Sequence, residues 1–346
     1  MGKELFFLMI ISVLFSCKSN KFESSIPIII DIDKANIVSL EDKSQIISVI
    51  NIEQSNKDCL MGLIKNLYIL DSAYIFFSLK KLIKFDKSGE FLYNISRKGR
   101  ASNEYVDLWE SWIEGDTLYI YDMNSDKILL YSVSNDFIRS INLSGYRKNH
   151  FQYLIPVNSG EYVGKVVYNN KNGCPELALY DKAFNYIKRI GDLSLTSGIN
   201  LGYAFEKFKD EIIYWRPLEN YIYSIDNNYS LKIKYIINFL NKNLPDYFKY
   251  RDDYDRIDMI NRDITKYASV INDLKETDNN LMFTFLFNTQ KYLSIYNKKN
   301  KSGSVVLFKS KNKDSKISAI KYFKENIFAV LEDKNDDNFS LYLVSL

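Results

Sequence analysis

A single histidine, three cysteines and five prolines are all that 346 residues hold. Each scarcity removes a class of function. With His150 alone, a zinc centre built on several imidazoles cannot form. A Ser-His-Asp triad would have to use that one residue, which sits in a Lys- and Asn-rich turn with no serine elbow beside it. Two cysteines besides Cys17, namely Cys59 and Cys174, lie far apart in the chain, and unrelated buried thiols explain them better than a disulfide does. A dominant sign of charge is missing too. Lys and Arg number 46 against 43 Asp and Glu, a net of +3. That balance argues against a polyanion-binding face and against a nucleic-acid partner. The short Lys runs, interrupted by Asp and Asn, read as solvated surface. No pair of carboxylates stands out as a glycosidase acid and nucleophile. Neither a catalytic constellation, a metal site nor a cofactor motif emerges.

What the chain does hold is aromatic: 27 Tyr and 22 Phe, with only 13 Gly. Aromatic and β-branched residues suit pleated, half-buried surfaces, so the composition points to an all-β fold. Before that fold comes a targeting segment. Lys3 is followed by an apolar run over 5–15 that ends in Leu14-Phe15-Ser16-Cys17. Charge, short apolar stretch and small residue are the layout of a secretory signal. The run has about half the ~20 residues a spanning helix needs. Leu14-Phe15-Ser16-Cys17 resembles the lipobox of bacterial lipoproteins. The resemblance implies a signal peptide over 1–16, lipid on Cys17, a tether over 17–27 and attachment to the outer membrane, on its periplasmic side or at the cell surface.

One segment recurs in the rest of the chain. Phe85-Asp86-Lys87-Ser88-Gly89-Glu90-Phe91 ends a strand, turns and starts another. The layout returns from Tyr131, from Tyr180 and from Ile225, at steps of 46, 49 and 45 residues. That is the length of one four-stranded propeller blade. A fifth copy near Tyr292–Tyr296 comes about 25 residues late, and the excess falls in 241–266. There Pro245 suits a first helical turn, and Tyr250, Tyr254, Ile257, Ile260 and Ile264 recur at helical spacing. A sixth copy, over 317–344, stops one strand short. The stretches 26–32 and 45–53 are both strand-like, and either could supply the strand that closes the ring. The expected architecture is therefore a six-bladed β-propeller over 28–346. An N-terminal strand closes its last blade, and a helical insertion spans about 243–266.

The turn at 85–91, followed by Arg97-Lys98-Gly99 and Glu104-Tyr105, resembles the six-bladed, NHL-like propeller lipoproteins of Bacteroidetes. Ala101-Ser102-Asn103 replaces that family's glycine-proline-glycine. The resemblance covers essentially the whole chain and implies fold and compartment more than activity.

In a propeller, function gathers on the loops around the channel mouth. The expected ligand-binding residues on that face are Arg97, Lys98, Arg100, Glu104, Tyr105, His150, Trp215 and Arg216, with Arg147 and Lys148 beside His150 and with Trp109 and Trp112 as further aromatic candidates. Such a set suits a carbohydrate or peptide. Three functions compete: a non-catalytic binding module of the cell envelope, a hydrolase or lyase using channel carboxylates and a metal, and a structural subunit docking on an envelope protein. The anchor is tested first. Labelled palmitate should enter the wild-type chain and not Cys17→Ser in the native host; an unlabelled wild type would leave an ordinary signal peptide.

Overall fold

Residues 25–55, 57–78, 81–143, 150–157, 160–168, 175–194, 204–216, 218–245, 253–263, 265–334 and 338–346 are described by the structure, a computed structural model. The signal segment, Cys17, Arg147, Lys148 and Cys174 lie outside them. Six antiparallel sheets form a six-bladed propeller, at 64–94, 108–142, 150–194, 205–238, 269–309 and 316–345. The first strand of each blade is innermost: Ile64–Ile69, Leu108–Glu114, His150–Pro156, Phe205–Phe208, Ser269–Glu276 and Lys316–Lys324.

The recurring turn joins the two outer strands of blades 1 to 4, and its chemistry repeats. Asp86 accepts the amides of Ser88 and Glu90 at 2.8 and 3.0 Å. Asp181 and Asp226 cap the same positions in blades 3 and 4. Three residues on, Gly89, Asn135, Phe184 and Tyr229 all take positive φ. Only Gly89 does so without steric cost.

The core is divided rather than central. Among the described residues, six apolar clusters each sit between two neighbouring blades. Between blades 6 and 1, for example, Leu331 and Leu341 pack with Phe76 and Phe85, whose rings meet edge-on at 5.5 Å. Cys59 is buried in that cluster. Burying one such side chain stabilises the fold by about 1.5–3 kcal/mol, so each interface holds its two blades by an apolar wedge.

The N-terminal segment does more than close the ring. Strand β1 (Ile26–Ile29) lies parallel on the outer edge of blade 4, with Ile26 opposite Tyr235. Strand β2 (Asn36–Ser39) lies parallel on blade 5, with Asn36 opposite Val306. Strand β3 (Ile46–Ile52) pairs antiparallel with the last strand of blade 6, Ile50 opposite Leu341, and supplies the missing strand. Of the two expected stretches, 45–53 is the closure and 26–32 caps another blade. The insertion between blades 4 and 5 contains one described α-helix, α1 (Asp253–Arg262), whose Met259 packs with Leu218, Leu244 and Val270 on the propeller.

Closure is fastened at Gly89. The Glu53 amide donates to the Gly89 carbonyl at 2.9 Å, and Glu53 Oε2 accepts the Phe91 amide at 2.8 Å. A Cβ on Gly89 would stand 2.3 Å from the Asn51 carbonyl oxygen. Gly115 also has positive φ, but no atom lies within 4 Å of its Cβ position. Gly115→Ala should therefore cost about 1 kcal/mol of backbone strain, and Gly89→Ala that strain plus the displacement of β3, on the order of 3 kcal/mol. Denaturant midpoints of the two variants check this; equal losses would mean that β3 does not depend on the close approach.

Candidate functional site

Connections between blades, and those between each blade's middle strands, share one face, where the innermost strands begin. Around the channel below that face, charged side chains interleave. The Lys321 ammonium of blade 6 lies 2.5 Å from Asp273 of blade 5, and its charge also reaches Glu110 of blade 2 and Glu206 of blade 4. Thr284 donates to Asp273 at 3.1 Å. Burial opposes ionisation of Asp273, but Lys321 and Lys291 hold its carboxyl below the ordinary range. Lys275 pairs with Glu206 at 2.5 Å, yet burial raises that carboxyl. Glu110 is buried. Burial pushes its carboxyl up to about 8, against the pull of Lys65 and Lys321. Lys65 places its ammonium 4.9 Å from the Phe77 ring centre and 5.8 Å from that of Trp109. The ion pairs here join carboxylates to lysines, and among the described residues no three His, Cys, Asp or Glu side chains converge as metal ligands would.

A second opening lies on the loop face. A cleft of about 850 Å³ runs between blades 5, 6 and 1, with Gly62–Ile64, Thr289–Lys291, residues from Lys309 to Ser318, and Asp333 in its walls. Leu63 stands at its lip, 72% exposed. On its floor Lys291 donates to the Ser318 carbonyl at 2.6 Å. Burial lowers the Lys291 pKa, and Asp273 works against that. None of these residues belongs to the set expected from the sequence. A signal was present in Lys309-Ser-Lys-Asn-Lys-Asp-Ser-Lys316, four lysines in eight residues between two strands.

The expected residues scatter. Trp215 is only 1% exposed; it fills the core between blades 4 and 5 and donates its indole N–H to the Ile271 carbonyl at 2.9 Å. It is no aromatic platform, because two blades close over it. Tyr105, 5% exposed, is likewise core between blades 1 and 2. Trp112 is buried and stacks on Tyr119 at 5.0 Å. Arg216 faces inward, its guanidinium bonded to Glu176 of blade 3 and, at 2.6 Å, to Glu219. That arrangement ties two blades together.

The loop carrying Arg97 is self-fastened. The Gly99 amide donates to the Tyr105 carbonyl, Tyr105 to that of Arg97, and the Ala101 amide to Glu104 Oε2 at 3.0 Å. Glu104 folds over Gly99 so closely that a Cβ there would meet its carboxylate. The Arg-Lys-Gly…Glu-Tyr pattern thus has a structural cause. Lys98 and Arg100 are exposed, and Arg97 lines a separate pocket of about 390 Å³ against Asn135 and Asp136 of blade 2. His150 opens the innermost strand of blade 3; its side chain lies outside the described residues.

The buried acid makes a test. Folded, Glu110 keeps its proton up to about pH 8; unfolded, it releases it near 4.5. The unfolded state therefore binds fewer protons between those values, and stability falls as pH rises through that window, by up to ~1.4 kcal/mol per pH unit. Glu110→Gln should be nearly neutral at pH 5 and stabilising relative to wild type at pH 8, read from denaturant midpoints. A wild type and variant that run parallel across the window would show the carboxyl ionised in the fold.

Comparison with known proteins adds family and fold. Residues 24–342 match the family described as a domain of unknown function, DUF4934. Among curated proteins none matches the sequence. A protein of Bacteroides fragilis described as exported superposes with a TM-score of 0.68 at 16% identity, over 90% of this chain and 100% of its own. A DUF4221 family member from Bacteroides vulgatus gives 0.57 at 8% identity, over 87% and 97%. A Bacteroides thetaiotaomicron protein of unknown function gives 0.53 at 10%, over 85% and 73%. At these identities the likeness is one of fold.

Proposed function

We propose that this chain, which belongs to the DUF4934 family, is an exported, lipid-anchored propeller that binds a glycan or peptide without turning it over, in the cleft between blades 5, 6 and 1. The cleft carries the reading. At about 850 Å³ it has the capacity of a ligand site, and it combines an apolar lip at Leu63 with converging polar groups. It also stands on the loop face of a scaffold whose blades are locked by apolar wedges, where a site keeps its shape.

The anchor agrees with the topology. The described chain starts at Ser25, next to β1 on the outer edge of blade 4. From Cys17 to Ser25 an extended tether reaches at most ~28 Å. Lipid on Cys17 would hold the propeller by its rim and leave the loop face open. Acyl chains contribute about 0.8 kcal/mol of membrane affinity per buried CH₂. The Bacteroides fragilis protein described as exported supports the compartment.

Soluble protein starting at Ser25 is applied to glycan and peptide arrays beside two variants. Asn312→Trp places a bulky ring in the cleft wall, and Arg97→Ala alters the smaller pocket. The expected result is a ligand retained by Arg97→Ala, lost in Asn312→Trp and recovered unmodified. A ligand lost only in Arg97→Ala would move the site to the smaller pocket. A processed ligand, or a blank from folded protein, would overturn the reading.

A further inference from the structure

Chain connectivity gathers lysines that the sequence keeps apart. Lys309, Lys313 and Lys316 belong to the connection from blade 5 to blade 6, and Lys291 comes from a middle strand of blade 5. All four line the cleft. Asp333 is the one carboxylate among its described lining residues. Lys309, Lys313 and Lys316 make no ion pair with any described carboxylate, whereas Lys234, Lys275, Lys298 and Lys321 elsewhere in the ring each have one. At the channel Lys275 and Lys321 are thus paired, whereas among the described residues Lys309, Lys313 and Lys316 are not.

At the floor, Lys321 pairs with Asp273 at 2.5 Å, and Lys291, which donates to the Ser318 carbonyl at 2.6 Å, adds a further lysine beneath the cleft. A concave site with low-dielectric walls and one sign of charge concentrates its field on the space inside it. Like charges held together also raise the energy of the empty site, and an anion relieves that.

A second observation points the same way. The Ser315 hydroxyl oxygen, in the cleft wall, is buried with no hydrogen-bond partner among the described residues. A buried polar group without a partner costs about 1–3 kcal/mol. A ligand oxygen would supply one. The aromatic side chains of the lining, Phe308 and Phe339, are both buried, so no exposed ring offers a stacking surface for a neutral sugar.

We infer that the cleft binds an acidic oligosaccharide, its carboxylate or sulfate groups held by Lys309, Lys313 and Lys316 and by the Ser315 hydroxyl, with Lys291 on the floor below. This rests on the cleft being the ligand site and names the ligand's class. Charges spaced along a sugar chain match lysines spaced along a cleft wall. Oxygen-rich rings also suit Thr289, Gln290, Ser310, Asn312 and Ser318, which share the lining with apolar residues.

Fluorescence polarisation of the soluble protein tests the inference with three labelled oligosaccharides of equal length: a galacturonate oligomer, a heparin-derived oligomer and a neutral glucan. An acidic peptide serves as a fourth probe. The double variant Lys313→Glu with Lys316→Glu is compared with Lys299→Glu with Lys301→Glu, a charge-matched pair in the opposite-face turn of blade 5. The expected result is binding of one acidic oligosaccharide that weakens steeply with salt, because exposed charges are screened over ~10 Å at 0.1 M. The cleft pair should lose roughly tenfold or more in affinity and the opposite-face pair little. The galacturonate and heparin arms identify the anion as carboxylate or sulfate. Binding of the glucan in the cleft, insensitive to salt, overturns the acidic class and leaves the binding module standing. Binding of the peptide alone overturns the sugar. Equal losses in both pairs mean diffuse charge attraction and overturn the site. No binding by any probe removes the inference, and a blank on the arrays as well removes the proposed function with it.

Discussion

Everything in this molecule depends on one antiparallel seam, β3 against the last strand of blade 6. Six blades related by rotation have no natural end, and an unclosed ring would leave a raw sheet edge on one side and an uncovered apolar wedge on the other. The seam removes both. It is tightened from the next blade, where Glu53 bonds the turn of blade 1 through backbone and carboxylate. The glycine at that turn is there for β3 rather than for the turn alone. Its counterparts Asn135, Phe184 and Tyr229 show that other residues can take the conformation.

Two electrostatic regimes follow from the ring. In the channel, side chains from blades 2, 4, 5 and 6 point toward a shared axis, where an unpaired charge would be expensive. Lys321, Asp273, Lys275 and Glu206 answer with ion pairs, and Glu110 answers by keeping its proton. On the loop face, water solvates whatever projects, and lysines can stand without partners. The cleft is the place where that tolerance becomes a local surplus of positive charge.

The repeats were legible in the sequence because turn chemistry is local. An Asp at one position and a strand on each side survive any rearrangement of the whole, and 45–53 read as a strand for the same reason. The parallel addition of β1 and β2 was hidden. Their partners lie more than 200 residues away, and a four-residue strand looks alike on an edge or in a core. Trp215 and Tyr105 misled for a related reason. The sequence shows that a ring is present near a loop, but burial is decided by the neighbouring blade. The lysines between 309 and 316 were visible as charge and read as solvated surface. Their convergence with Lys291 and Ser315 over one cavity is a property of the closed ring. The net charge of +3 could not show it, because acidic side chains elsewhere cancel the sum.

The lacing of the N-terminal segment also sets an order in time. A chain synthesised from its N-terminus presents β1, β2 and β3 first, yet Ile28 must wait for Ile237, Val38 for Phe308 and Ile50 for Leu341. The three partners emerge in the same sequence as the strands that seek them. Each completed blade can therefore take up the next piece of the waiting segment, like a cord drawn through successive eyelets, and the long loop that opposes the final seam is shortened in two earlier stages. Propellers that close with a single strand face that loop in one step. Here the first residues out act as a running clamp on the second half of the ring.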